Sequence, residues 1–289
     1  MIETQTINRA AEAIRAETFQ ADAPFKEAMA SVAVRKAMPT SLGSKALGKL
    51  TKAIKQRAQF SAKTTNAWYL DQISGVTQDI LSGKTNMATA RLHLQGALNA
   101  IGYQPDSEGL QDLGSFARLN LIINTQLGLA TGYGQRLAAV DPDIIDAFPA
   151  WRLSRWENRI SPRDWTERWA IAAAGTPQEG RNDDEFIALK DHPIWDNLGD
   201  SGLFDDALDV NYPPFAFQSG MGLDEINRTE AEEAGVIDVG QAAPTPEVVD
   251  FNDSLQATAD YKDSDLLDLL LQDKTISLVD GVLVLAGAN

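Results

Sequence analysis

Five of the six tryptophans in this 289-residue chain lie between positions 151 and 195. Each buried tryptophan removes roughly 150–250 Å² from water, so a segment this rich in tryptophan forms a core around the rings or leaves a large apolar patch. Helical periodicity is weak here and proline is frequent, which favours short elements. The sequence therefore predicts a small α+β module over 141–239 whose core is made of tryptophan.

Arginines are interleaved with these tryptophans, and two interpretations follow. Arginine and aromatic rings together can stack on nucleobases or sugars. Alternatively, the arginines stack on the core rings and pair with nearby acids. We favour the second interpretation because the local charge nearly balances, whereas a nucleic-acid surface is more basic. The arginines are Arg152, Arg155, Arg159, Arg163 and Arg168.

The first half of the chain has apolar residues at helical spacing. This pattern predicts an α-helical region over 1–139, with helices at 5–20, 25–37, 65–82, 86–101 and 113–139. Asn86 is the expected cap of the fourth helix and Gly102 its expected stop. The expected apolar faces include Trp68 in the third helix, Leu92 in the fourth and Phe116 in the fifth.

The last segment, 240–289, reads as an acidic linker followed by a short Leu-rich helix and a β-hairpin tail. Asp280-Gly281 is the expected hairpin turn, because this dipeptide favours positive φ at both central positions. The whole chain is therefore predicted to be α+β and mainly α-helical.

The net charge of −16 is unevenly distributed along the chain. Residues 1–100 carry 13 basic and 7 acidic side chains, whereas 181–289 carry 5 and 24. The segment 26–63 holds nine bases and one acid, and part of it has the pattern of a basic amphipathic helix. Such a segment can contact nucleic acid, an anionic membrane surface or an acidic protein surface. The predicted partner-binding residues are Lys45, Lys49, Lys52, Lys55 and Arg57.

Several functional classes lack support in the sequence. There is no cysteine and there are two histidines, so disulfide frameworks, thiolate sites and His-rich metal centres are excluded. No apolar run reaches the ~18 residues of a spanning helix, and Met1 to Asn8 is not a signal-peptide start. Acidic clusters at 141–146, 183–185 and 205–209 could serve a metal-dependent enzyme, but caps and solvated faces explain them better. We expect no catalytic residue, no metal, no cofactor and no small-molecule substrate.

Six segments, taken in order, resemble the minor head or head morphogenesis proteins of Mu-like tailed bacteriophages. Asn124 and Thr125 lie at the heart of the third segment. The sequence departs from the family's pattern at Phe186, where a histidine is common, and at Ser219 and Met221, where paired cysteines would sit. The tail after about Gly240 lies outside the resemblance. The segments are 24–28 with 38–40, 57–62, 118–134, Pro149-Ala150-Trp151, Asp191-His192-Pro193-Ile194-Trp195 and Tyr212-Pro213-Pro214-Phe215-Ala216-Phe217.

This resemblance implies a structural and assembly role in a phage head, at or near the portal vertex. The implied partners are the portal protein and other head proteins, with packaged DNA as a further candidate. The implied location is the virion, after synthesis in the host cytoplasm. The motif residues expected to be structural are Asn124, Thr125, Trp151, Trp195, Pro213, Pro214 and Phe217. Two alternatives stay open: a DNA-binding accessory protein packaged with the genome, and a metal-dependent enzyme using the acidic clusters of 141–209.

Overall fold

A computed structural model describes residues 23–37, 58–59, 64, 66–105, 109–159, 161–246, 256–258, 276–279 and 282–285. Within these ranges the fold is mixed α+β and mostly helical, with eight α-helices and a four-stranded antiparallel sheet. The predicted fold class is confirmed at this level. The predicted helices at 5–20 and 264–274 lie outside the described residues.

The amino-terminal part consists of four helices. They are α1 (Ala23–Val34), α2 (Ala67–Leu81), α3 (Met87–Ala100) and α4 (Phe116–Ala138), with a 3₁₀ turn at Gly109–Gln111. Two short parallel strands, β1 (Lys36–Ala37) and β2 (Ala58–Gln59), pair between α1 and α2. The predicted helix at 25–37 is thus shorter than expected, because its last residues form β1.

Side-chain caps set where these helices begin. The Asn86 carboxamide oxygen accepts hydrogen bonds from the amides of Ala88 and Thr89 at 3.0 Å, which confirms the predicted cap of α3. Ser115 caps α4 in the same way, so the helix begins at Phe116, three residues later than predicted. Gly102 has a φ of 72°, which confirms the predicted helix stop.

Helices α2, α3 and α4 share one aliphatic core that contains Leu70, Ile73, Leu94, Leu119 and Ile123. The expectation that Trp68, Leu92 and Phe116 belong to it is wrong, since all three are exposed. Each helix has more apolar residues than one buried face can hold. Helix α1 packs across α4 through Ala28 and Val32, against Ala130.

The second part is built on the antiparallel sheet, in the order β4–β5–β3–β6. The strands are β3 (Ala150–Arg155), β4 (Arg181–Asn182), β5 (Ile187–Leu189) and β6 (Met221–Ile226). The helices are α5 (Pro142–Ala147), α6 (Trp165–Ala173), α7 (Ile194–Leu198) and α8 (Arg228–Glu233). One sheet face carries the tryptophan core, and part of the other packs on Ala231, Val236 and Ile237.

In the tail, β7 (Gln256–Thr258), β8 (Ile276–Val279) and β9 (Val282–Leu285) pair in the order β7–β9–β8. Antiparallel pairing of Val279 with Val282 confirms the predicted hairpin. The predicted turn residues Asp280 and Gly281 lie outside the described residues, and the third strand β7 is not predicted by the sequence pattern.

Candidate functional site

The five predicted partner-binding residues, Lys45, Lys49, Lys52, Lys55 and Arg57, lie outside the described residues. The two ends of the stretch that contains them are described. Lys36 pairs with Ala58 and Ala37 pairs with Gln59 in the parallel β1–β2 ladder. The described residues on either side of this stretch, 36–37 and 58–59, are therefore neighbours in space.

Four of the motif segments meet where α4 contacts the second part of the chain. Gly132 lies so close to the Pro213 carbonyl that a Cβ on Gly132 would be 2.0 Å from its oxygen. One turn earlier, a Cβ on Gly128 would be 3.2 Å from a ring carbon of Pro214. Because Gly128 and Gly132 have no side chain, the backbone of the Pro213-Pro214 segment can lie against α4.

The same contact continues into the tryptophan core, which confirms the predicted core for four of the five rings; Trp156 is exposed. Trp195 lies at its centre, edge-on to both Trp151 and Trp169 with ring centroids 5.8 Å apart in each case. Phe215 stacks on Trp195 at 6.3 Å. The indole N–H of Trp195 donates to the Leu189 carbonyl at 2.8 Å, so the central ring is fixed by hydrogen bonding as well as packing.

The Glu225 carboxylate joins the core to a buried lysine. Its Oε1 accepts a hydrogen bond from the Trp151 indole N–H at 2.9 Å, and its Oε2 lies 2.6 Å from the ammonium of Lys190. Lys190 is fully buried, and its ammonium also lies 5.4 Å from the Trp151 ring centroid. Burial lowers the pKa of Lys190, and the hydrogen bond and charge of Glu225 oppose that shift.

Two arginines share the Asp206 carboxylate on the opposite side of the core. Arg168 donates to Asp206 at 2.7 Å and to the Leu198 carbonyl at 2.8 Å, while Arg163 pairs with the other Asp206 oxygen. The Arg168 guanidinium lies 3.9 Å from the Phe204 ring centroid and 5.0 Å from that of Trp165. Burial alone would raise the pKa of Asp206, but the two arginines outweigh it and hold this pKa below its usual value.

Arg181 and His192 fix the loop that follows α6. Arg181 bonds to Asp183 at 2.6 Å, and Asp183 also accepts the Trp169 indole N–H at 2.7 Å. His192 Nδ1 accepts the amide of Ile194 at 3.1 Å, so Nε2 carries the proton and donates to the Pro177 carbonyl at 3.0 Å. Burial, with the charge of Arg181, lowers the pKa of His192. The ring is therefore neutral at pH 7.

The favoured interpretation is confirmed in part: Arg152, Arg159, Arg163 and Arg168 pair with acids of the module, but only Arg168 stacks on a tryptophan, and Arg155 is exposed. Arg152 pairs with Glu185 and Glu230, and Arg159 pairs with Glu157. The sequence predicts Glu157, Asp164 and Glu167 as the acidic partners, and of these Glu157 pairs with an arginine. Asp164 instead caps α6, which begins at Trp165. The sequence predicts an earlier start, because proline is favoured at the first position of a helix and Pro162 could occupy it.

The acidic clusters are dispersed among different partners. Asp146 pairs with Arg228, Asp183 with Arg181, and Asp209 accepts the amide of Ser201 at 2.9 Å. Across the described ranges, no three His, Asp or Glu side chains are grouped so that they could hold a metal ion. This arrangement gives the metal-dependent enzyme no structural support.

Three of the motif residues lie apart from the shared core. Asn124 is exposed on α4, Thr125 is half-buried, and Phe217 is 43% exposed at the surface. Trp151, Trp195 and Pro213 are buried, and Pro214 is half-buried against Gly128. Lys190 and Glu225 were not predicted. Lys190 follows a buried apolar strand directly, and this position is the one signal in the sequence for its burial.

Comparison with known protein families, with curated proteins and with solved structures finds no match for this chain. In the part of the chain that the structure describes, no helix is both long and apolar enough to cross a membrane.

Proposed function

We propose that this chain is a minor head protein of a tailed bacteriophage or prophage, with a structural role in head morphogenesis at or near the portal vertex. The proposal rests on the six segments that resemble the Mu-like family in the same order along the chain. Its partners are the portal protein and other head proteins, its location is the virion, and its action is docking without catalysis.

The packing of four of these segments supports a structural role. Gly128 and Gly132 of the third segment contact the Pro213-Pro214 segment, and Trp151 and Trp195 pack edge to face. Residues that resemble the family thus coincide with the contact that joins the helical region to the tryptophan module. Motif residues that serve packing would meet in this way. Motif residues that serve catalysis would instead surround an accessible group of polar side chains.

The charges of the module support docking for a related reason. Lys190, Arg168 and Arg181 are buried and each has an acidic partner inside the module. Because these three charges are paired inside the module, we assign the contact with an external partner to the positive charges of the basic stretch Lys45 to Arg57. In this proposal the acidic carboxyl-terminal third faces away from DNA or meets a basic partner.

The experiment is co-purification with the portal protein encoded by the same phage or prophage. The tagged full-length chain is co-expressed with that portal and compared with a four-lysine variant. In this variant Lys45, Lys49, Lys52 and Lys55 are replaced by Ala. The control replaces Lys84, Lys262 and Lys274 by Ala, which removes three positive charges elsewhere in the chain.

We expect the wild type and the control to retain the portal and the four-lysine variant to lose most of it. Retention of the portal by the four-lysine variant removes the basic stretch as the docking segment. Failure of the wild type to retain any head protein contradicts the proposed function.

A DNA-binding accessory protein is the second candidate, favoured by the nine bases against one acid over 26–63. In that case affinity for duplex DNA falls steeply with salt, because each neutralised phosphate releases counterions. The four-lysine variant would then lose binding. Absent or salt-independent DNA binding by the wild type eliminates this candidate.

A further inference from the structure

Trp156 differs from the other four tryptophans of the module because its side chain is 55% exposed, whereas theirs are at most 5% exposed. It follows β3 directly, at the end of the strand that carries Trp151 into the core. A large ring left in water gains little from burial, so its position must be held by other contacts.

Three contacts hold Trp156 in place. Its backbone amide donates to the Gly220 carbonyl at 2.9 Å, and its indole N–H donates to Asp224 Oδ1 at 2.8 Å. A Cβ on Gly222 would lie 2.1 to 2.5 Å from three carbons of the ring. These near-equal distances show that one face of the indole lies on β6, which leaves the opposite face towards solvent.

The carboxylate beside the ring favours a cation. Asp224 is exposed, and no cationic side chain of the described residues lies within ion-pair distance of it. Arg152 is paired with Asp224 in the β3–β6 register, but its guanidinium contacts Glu185 and Glu230 instead. The face of an indole attracts a cation through its quadrupole, and an adjacent carboxylate adds Coulomb attraction.

We propose that Trp156 and Asp224 form a docking site for a lysine or arginine side chain of a second copy of this chain. The docking side chain comes from the basic stretch Lys45 to Arg57. Charge complementarity within the sequence carries this choice of partner. The segment 26–63 has nine bases and one acid, while residues 181–289, which include Asp224, have 5 bases and 24 acids.

The two surfaces are different, so the contact is head-to-tail. Such contacts produce rings or chains and not closed two-fold dimers. One cation of the basic stretch occupies the Trp156 ring, and the others stay available to a further partner. The inference does not rest on the proposed phage function, because its test needs only the purified chain.

Sedimentation velocity of the full-length chain at about 0.05 M and about 0.5 M NaCl tests the association, since salt screens charge pairs at a surface. We expect oligomers at low salt that dissociate at high salt. Trp156→Ala and Asp224→Asn should each weaken the association about two- to fivefold. Asp224→Asn keeps the acceptor for the indole N–H, so it removes charge without releasing the ring.

Two controls match these variants in chemistry. Trp68→Ala removes another exposed tryptophan, which is 46% exposed on α2. Glu233→Gln removes another exposed carboxylate and gives the same change in net charge as Asp224→Asn. Both controls should associate like the wild type, and weakening by the controls equal to that of Trp156→Ala or Asp224→Asn overturns the proposal.

Mixing distinguishes contact between copies from contact within one copy. The four-lysine variant keeps the docking site, and Trp156→Ala keeps the basic stretch, so each alone should associate more weakly than the wild type. Their equimolar mixture should form a 1:1 dimer that cannot extend. A wild type that stays monomeric at low salt overturns the proposal. If the lysine substitutions change Trp156 fluorescence within that monomer, the contact lies within one copy, and the proposal is overturned as well.

Discussion

The helical region and the tryptophan module of this chain are stabilised in different ways. In the helical region, α2, α3 and α4 bury aliphatic side chains at regular spacing, and glycines such as Gly75 and Gly96 lie open on the outer surface. In the module the elements are short, and indole N–H groups of the core are bonded to Glu225, Asp183 and the Leu189 carbonyl.

The two regions differ in how strongly one side chain affects the stability of the fold. An aliphatic helix face is redundant, because many similar contacts contribute and one can be replaced. In the module, the single Glu225 carboxylate holds both a core ring and a buried ammonium. Substitutions should therefore have small effects on the outer helix surfaces and large effects at the bonded core and at its contact with α4.

The largest effect is expected for Gly132→Ala, at the contact between the two regions. The added Cβ would lie 2.0 Å from the Pro213 carbonyl oxygen, so the helix and the proline segment must separate. We expect a loss of about 3 kcal/mol or more in the free energy of unfolding, measured by denaturant titration. Gly128→Ala, where the closest approach is 3.2 Å, should lose clearly less. Equal losses would contradict the described contact.

Glu225→Gln should have the next largest effect, because it leaves the buried Lys190 ammonium without a counter-charge. We expect a loss of about 2–3 kcal/mol in the free energy of unfolding. Lys190→Met should lose less than about 1 kcal/mol, since Glu225 stays partly exposed and keeps the Trp151 N–H. The reverse order of these two losses, measured by denaturant titration, would show that the ion pair does not stabilise the module in this way.

The module should also lose stability as the pH falls through the range in which histidine titrates. Burial lowers the pKa of His192 below its ordinary value of 6.5, so the unfolded chain takes up the proton first. The contribution of neutral His192 is therefore complete above pH 6.5 and is lost as the pH falls through the lower, folded-state pKa. Denaturant titrations between pH 7.5 and 5 should show this slope for the wild type. His192→Gln should flatten it, and an unchanged slope would exclude His192 as its source.

The smallest effects should come from the open glycines of the helical region. Alanine at Gly75 or Gly96 meets no atom within 4 Å, and both positions lie inside helices. Each substitution should raise the free energy of unfolding by about 0.5–1 kcal/mol, because glycine is a poor helix former. A loss at either position, measured by thermal unfolding, would contradict the open space described around that glycine.

Helices of the first region were predictable because burial repeats with the helical period and because caps act locally, as at Asn86 and Gly102. The pattern did not show that some apolar residues at the helical spacing stay outside the core. Trp68, Leu92 and Phe116 fit the apolar spacing and are nevertheless exposed. Periodicity indicates which face is buried, but it does not show how much of that face the neighbouring helices cover.

In the module, composition predicted the tryptophan core but not its contacts. The bond from Trp151 to Glu225 joins residues 74 positions apart, and the bond from Trp156 to Asp224 joins residues 68 positions apart. Neither follows from local spacing, because it depends on the β3–β6 register. Thr229 followed by Glu232 resembles a capping box and predicts a helix from residue 230, but α8 begins at Arg228 and is capped by Asn227.

The proposed role in head assembly is tested most directly by the protein content of purified phage particles. Empty heads and DNA-filled heads made by the phage or prophage that encodes this chain are separated on a density gradient and quantified by mass spectrometry. The proposal predicts this chain in both, at one constant ratio to the portal protein. Its absence from both kinds of particle would contradict the proposal, and its presence only in DNA-filled heads would favour the DNA-binding alternative.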